Sequence, residues 1–212
     1  MIDRLFQLLR NGQLLPNAET TFSQAGLGFL VGAVAGILIG NLMGAVKLVG
    51  RVGSPFVTFF YTMPRIAIAP LFVVWLGVGF SFKATFVAFV VVFIFITPTV
   101  AGLESMDPDL ANGLRVMGAG KWQMIRMAVL PQQVLWISTT IKLALPTAIA
   151  TDVTAEFVAS ERGLGYMMNE AAGVLDTASL LAEVLFISGV VTVLLGALSI
   201  AERRWFRWRP AQ

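Results

Sequence analysis

Residues 104–131 read ESMDPDLANGLRVMGAGKWQMIRMAVLP, a long, mildly basic connection between two stretches that are each apolar enough to cross a bilayer. Asp107 is a good N-cap with Pro108 at the first helical position, so a short helix is expected over 109–117 until Gly118-Ala119-Gly120 breaks it. A second amphipathic helix is expected over 121–129, with Trp122, Ile125 and Val129 on one side and Leu130-Pro131 stopping it. Such a compact protrusion suits a groove on a soluble partner. The alternative is a helix pair resting on the membrane surface.

The flanks set the solvent. A span needs about 20 mostly apolar residues, and five stretches qualify, at roughly 25–46, 56–79, 82–103, 132–159 and 180–201. Across the 212 residues, 57% are hydrophobic and 13% charged, and the mean hydropathy is +0.82. Ordinary soluble domains carry about a quarter charged residues, so most of this exterior must face lipid. The fold class expected is an all-α membrane protein with about five transmembrane helices. Residues 1–24, with Asp3, Arg4, Arg10 and Glu19, read as an amphipathic interfacial segment and not as a signal peptide. Residues 25–201 form the transmembrane domain and 202–212 a tail.

Several chemistries are excluded by composition. The chain has no Cys and no His, which removes disulfides, thiol nucleophiles, imidazole acid–base catalysis and the commonest zinc or haem ligands. No glycine loop ending in Lys-Ser or Lys-Thr is present to cradle ATP phosphates. No enzyme activity, bound cofactor or metal site is expected of this chain.

Orientation follows from the cations in the connections. Lys47 and Arg51, then Arg115, Lys121 and Arg126, then Arg203, Arg204, Arg207 and Arg209 belong to the first, third and last connections; the other two hold only Lys83 and Arg162. The richer set, and with it the C-terminus, is expected in the cytoplasm, and five spans then put the N-terminus outside. Either a further span precedes this start in related proteins, or residues 1–24 reorient during insertion. Arg203-Arg204-Trp205-Phe206-Arg207-Trp208-Arg209 reads as an anchor at headgroup level, not as a nucleic-acid site.

Within the spans, Gly28, Gly32, Gly36, Gly40 and Gly44 repeat every four residues. This stripe permits close helix approach, either inside the chain or between subunits. The second span holds Pro55, Pro64, Pro70 and Arg65 and is expected to be broken. It is either a kinked helix satisfied by its neighbours or a pathway lining. The fourth carries Lys142, Asp152 and Glu156, charges expected to face a bundle interior or a wet cavity. At 100° per residue Asp152 lies about 80° and Glu156 about 40° from Lys142, on a face shared with Ser138. The rise from Lys142 to Glu156, about 21 Å, forbids a direct pair within one helix. The stripe reads as a translocation pathway or gate, or as ion pairs between helices. Between the fourth and fifth spans, the glycines of Arg162-Gly163-Leu164-Gly165 mark turns.

The 104–131 connection resembles the cytoplasmic loop of bacterial ABC importer permeases, whose pattern is Glu-Ala-Ala, three residues, Gly, nine residues, Ile, one residue, Leu-Pro. Gly118 and Leu130-Pro131 fall at that spacing, while Asn112-Gly113-Leu114 stands in place of Glu-Ala-Ala and Ala128 in place of Ile. Pro64-Arg65-Ile66-Ala67-Ile68-Ala69-Pro70-Leu71, Trp75-Leu76-Gly77-Val78-Gly79, Ala155-Glu156 and Arg162-Gly163-Leu164-Gly165 are similar to the nitrate/sulfonate/taurine branch of that family. The resemblance covers about residues 20–209. Lys142 falls where that branch often has a basic residue, and Asp152 and Pro146 depart from it.

The resemblance implies the type I ABC importer permease fold in a bacterial inner membrane. It also implies a second permease copy, cytoplasmic ATP-binding subunits that supply the ATP site, and an external solute-binding protein. Coupling to the ATPase would fall to residues 108–131, with Asn112, Arg115, Gly118, Ala119, Lys121, Trp122, Leu130 and Pro131 at the contact. Pro64, Arg65, Pro70, Lys142, Asp152 and Glu156 are the candidates for the pathway or gate. The competing readings are an ion-coupled secondary carrier using Lys142, Asp152 and Glu156, for which no inverted repeat is visible, and a non-transporting membrane scaffold.

Overall fold

A computed structural model of the chain describes the backbone of residues 2–105 and 108–205, and every regular element among them is helical. The order is α1 (Ile2–Arg10), α2 (Leu14–Ala45), α3 (Lys47–Thr62), α4 (Arg65–Leu76), α5 (Phe80–Glu104), α6 (Pro108–Val116), α7 (Lys121–Met124), a π-helical turn (Ile125–Val129), α8 (Leu130–Val158), α9 (Leu164–Gly173) and α10 (Thr177–Trp205). Four helical stretches are long and apolar enough to cross a membrane, and the bent pair α3–α4 brings the number to five where it counts as one span. This agrees with an expectation of about five transmembrane helices.

The glycine stripe is used inside the chain. Helices α2 and α5 run parallel and share the largest helix–helix contact among the described residues. Each stripe glycine sits against a successive turn of α5. A Cβ on Gly28 would stand 2.6 Å from the Ala84 carbonyl oxygen, one on Gly36 2.5 Å from that of Val92, and one on Gly40 2.7 Å from Thr99 Cβ. Helix α8 runs antiparallel to this pair and closes a three-helix core of Ala33, Val87, Val91, Phe95, Ala144 and Ala148. The outward face of α2, with Leu30, Val34 and Leu38 exposed, has the apolar character that lipid requires.

Three details differ from the sequence expectation. First, α2 begins at Leu14, not near residue 25. Pro16 costs no hydrogen bond in a first turn, where the N–H groups have no intrahelical partner. Leu14, Ala18, Thr21 and Ala25 then form one buried stripe at helical spacing. Second, of the three prolines in the second span only Pro64 breaks the chain. Pro55 and Pro70 lie inside α3 and α4. At Met63 and Pro64 the backbone is extended, as a residue preceding proline prefers, and the two helices diverge by 98°. Third, Leu130-Pro131 does not stop the second short helix. The π turn lets the Leu130 N–H donate to the Ile125 carbonyl, and helix continues from Trp122 to Val158. Pro131, at the start of α8, has no N–H to place.

Antiparallel packing sorts the connections to two ends. The starts of α2 and α5 meet the end of α8 and helix α9 at one end; α6, α7 and the π turn lie at the other.

Candidate functional site

Three features stand out along α8. The first is a buried strap at its C-terminal end. Glu156, 1% exposed, accepts hydrogen bonds from Thr21 Oγ1 at 2.9 and 3.0 Å and from the Gly165 N–H at 2.7 Å. The Leu164 N–H donates to Thr21 Oγ1 (2.9 Å) and the Gly163 N–H to Asn17 Oδ1 (2.7 Å). Three successive N–H groups of the α8–α9 connection are thus held by side chains of α2 and α8. Both glycines are required by contact. Gly163 has φ +118°, and a Cβ there would fall on the Glu156 carboxylate; one at Gly165 would run into the Val153 carbonyl. Alongside, Lys83 is buried and donates to Ser160 Oγ (2.6 Å), which in turn donates to the Arg162 carbonyl. Asp152 is fully buried next to this group, and among the described residues neither of its carboxylate oxygens has a hydrogen-bond partner.

The second feature is a pair of adjoining recesses between the α3–α4 bend and the middle of α8. One, of about 740 Å³, is lined by Tyr61, Met63, Pro64, Arg65, Pro146, Thr147, Thr151 and Thr154. The other, of about 590 Å³, is lined by Thr58, Tyr61, Arg65, Thr97, Pro98, Thr140 and Thr147. They share Tyr61, Arg65 and Thr147, and Arg65 is the single charged side chain in either lining. Among the described residues Arg65 makes no hydrogen bond or ion pair.

The third feature is the protruding pair α6 and α7. Gly118, at φ +78°, turns the chain between them, and the Gly120 N–H donates to Gln123 Oε1 at 2.8 Å, capping the second helix. Val116, Met117 and Trp122 are 89%, 83% and 70% exposed, apolar surface directed at something other than this chain. Asn112 is exposed on α6, Ala119 is half-buried in the turn, and Leu130 and Pro131 open α8. The side chains of Arg115 and Lys121 lie outside the described residues, as do Asp107 and residues 206–212.

The candidates for pathway or gate therefore separate. Pro64 and Arg65 line a recess, whereas Pro70 is exposed inside α4 and lines neither. Asp152 and Glu156 belong to the buried strap region. Lys142 is apart from both, paired with Glu202 of α10. Sequence reasoning missed Asn17, Thr21, Lys83 and Ser160 of the strap, and Tyr61 and the threonines of the recesses. One signal was available: Thr140, Thr147, Thr151 and Thr154 recur at seven, four and three residues, one face of a helix.

Comparison with known proteins gives a consistent picture. The family described as "Binding-protein-dependent transport system inner membrane component" matches residues 18–207. A Brucella abortus chain named as an ABC transporter permease is 31% identical over 210 residues, covering 99% of this chain and 84% of that one. A Bacillus subtilis chain named as an aliphatic sulfonates transport permease is 29% identical, covering 96% and 74%. The taurine transport system permease of Escherichia coli is 27% identical, covering 86% and 66%. In fold, the chain superposes on the MetNI methionine ABC transporter in an inward-facing conformation with a TM-score of 0.73, 19% identity, and 91% and 94% of the two chains covered. An amino acid ABC transporter superposes with a TM-score of 0.75 and 17% identity, covering 96% and 99%.

Proposed function

This chain belongs to the family of binding-protein-dependent transport system inner membrane components, and we propose that two copies of it form the path by which an importer takes up a small sulfonate- or taurine-type anion. It is the multi-pass inner-membrane permease subunit of an ABC importer, with the type I permease fold. It is not itself the enzyme, since ATP is handled by a separate subunit of such systems, and a substrate-binding protein is the other partner. No observation favours the ion-coupled carrier. Lys142, one of the three charges which that reading would use, is paired with Glu202 of α10.

The finer assignments extend this. In our reading α6 and α7 face the cytoplasm and dock on the ATP-binding subunit, and the C-terminus lies on the same side. The observation that carries it is the exposed apolar surface of Val116, Met117 and Trp122, the last on a helix joined without a break to α8. A rigid junction of this kind is what turns a partner's movement into movement of a membrane helix. Arg65 and the recess threonines stand on the pathway, and the solute-binding protein approaches from the end that carries the strap. The anion assignment is supported by the relatives named for aliphatic sulfonates and taurine and by the lone cation in the recesses.

The test is recovery of partners. The chain is tagged at its C-terminus and extracted gently from its native membrane, and co-purifying proteins are identified by mass spectrometry in wild type and Gly118→Asp. An ATP-binding subunit is expected with wild type and lost from the variant. No such subunit with a well-folded wild-type chain would overturn the proposal.

A further inference from the structure

The two recesses carry chemistry that names more than an anion. Arg65, at the first position of α4, brings the only charge, and it is positive. Five of the six threonines in the two linings bring the opposite character. The hydroxyl of Thr147 donates to the Leu143 carbonyl (2.8 Å), Thr151 to Thr147 (2.7 Å), Thr154 to Ala150 (2.7 Å), Thr140 to Trp136 (2.8 Å) and Thr58 to Ser54 (3.1 Å). Each donated proton is committed to the helix's own backbone, so what these oxygens present to a guest is lone pairs. A row of acceptors on α8 and α3 thus faces one unpartnered guanidinium, with no carboxylate in either lining.

We propose that these recesses form a transit site for a small zwitterion or hydroxylated anion, whose oxyanion end rests on Arg65 while an ammonium or hydroxyl donor at the other end bonds to the threonine oxygens. This rests on the importer reading and deepens it, because it separates a zwitterionic amino-sulfonate from a plain alkanesulfonate or nitrate, which has no ammonium end. A guanidinium matches a planar pair of oxyanion oxygens. Neutral acceptors hold an ammonium loosely, which suits a site that must also let its guest go.

The absence of cysteine makes a direct test available, because any introduced thiol is the only one in the chain. Ala150 lines the larger recess without taking part in the proposed contacts. The Ala150→Cys variant, in the assembled complex in membrane vesicles, is treated with 2-sulfonatoethyl or 2-(trimethylammonium)ethyl methanethiosulfonate. Labelling is followed by the mass of this chain, each rate being normalised to that with a free thiol. The anionic reagent is expected to react about tenfold faster than the cationic one. That preference should vanish with Arg65→Gln and persist with Arg65→Lys. Taurine should slow the labelling at lower concentration than ethanesulfonate does, and Thr147→Val with Thr151→Val should erase that difference. Equal rates for the two reagents, a preference that survives Arg65→Gln, or no labelling by either would overturn the site. Equal protection by taurine and ethanesulfonate, or protection by neither, would overturn the zwitterion assignment. The labelling reads the recess whether or not an ATP-binding subunit is recovered, so its failure is distinct from failure of the importer reading.

Discussion

The two ends of α8 are built in opposite ways. At the C-terminal end Glu156, Thr21 and Asn17 hold three consecutive backbone N–H groups, with Glu156 and Thr21 almost wholly inside. At the other end, α7 and the π turn lead into α8 from a protrusion whose largest apolar side chains are bare. One end is bonded within this chain; the other is the surface that, in our proposal, docks on the ATP-binding subunit. On that proposal α8 would serve as the lever, and the recess lined by Pro146 and Thr147 lies between its two ends.

The sharpest way to break this contrast uses two glycines with positive φ. Gly163 (φ +118°) lies against the Glu156 carboxylate, whereas nothing lies within 4 Å of a Cβ built on Gly118 (φ +78°). Gly163→Ala combines backbone strain with overpacking and should cost about 3–5 kcal/mol. Gly118→Ala meets only the left-handed penalty, about 1–2 kcal/mol. Thermal unfolding of the two variants in detergent is expected to show a large loss for the first and a small one for the second. Equal losses would mean that the strap is no tighter than the protruding turn.

A smaller effect tests the strap by its hydrogen bonds. Glu156→Ala leaves the buried Gly165 N–H without its acceptor and the Thr21 hydroxyl with only the Asn17 carbonyl (3.2 Å), at a cost of about 2–3 kcal/mol. Glu156→Gln keeps an oxygen for the Gly165 N–H and can donate to Thr21 Oγ1, so it should cost less than about 1.5 kcal/mol. A Gln variant as unstable as the Ala variant would show that the negative charge, and not the bonding pattern, is what the site needs. Unfolding midpoints for the two substitutions distinguish these outcomes.

The contrast also explains what sequence could and could not tell. The Gly118 break and the apolar stretches are local matters of backbone sterics and length, and they were legible residue by residue; that the second span would break was legible too, but not that Pro64 alone of its three prolines would break it. The start of α2 was not. Asn17, Thr21 and Gln24 read as interfacial polarity, yet Thr21 and Gln24 are buried and Asn17 and Thr21 serve the strap. Polarity in sequence does not say whether the partner is water or a buried backbone. Likewise, the helical wheel put Lys142 on one face with Asp152 and Glu156, but Glu202, sixty residues away, takes the lysine. A wheel describes one helix, and pairing is decided by the next. The Pro131 stop failed for a related reason, since a single π turn changes which carbonyl waits for which N–H. For the recess, Arg65 was visible as an odd cation in an apolar stretch, while the acceptor character of the threonines depends on bonds that only coordinates reveal.

The mildest expected effect concerns the polar tie of α1 to the strap-bearing end, in which Arg4 donates both to Asp176 and to Ser179 Oγ (3.0 Å each). Asp176, just before α10, accepts from the Ser179 hydroxyl (2.7 Å), the Ser179 N–H (3.1 Å) and Arg4 (3.0 Å). Those bonds, the Ser179 hydroxyl first, lower its pKa from the ordinary 3.8 to about 2. A carboxylate whose folded value is depressed contributes in full above its unfolded value and loses that contribution as pH falls through the folded one. The tie is therefore complete above about pH 4 and released between there and about pH 2. The side chains of Arg4 and Asp176 are 46% and 29% exposed, so water screens the pair and its release should loosen α1 without unfolding the bundle. Pepsin cleavage within residues 2–10, corrected by its rate on a free peptide of that sequence, should accelerate across this window in wild type. Asp176→Asn should cleave faster already at pH 4, with α2 untouched in both. A wild-type rate that stays flat from pH 4 to pH 2 would mean that α1 is held by Leu8 packing on Leu14 and Leu164 alone, and that the surface tie contributes nothing.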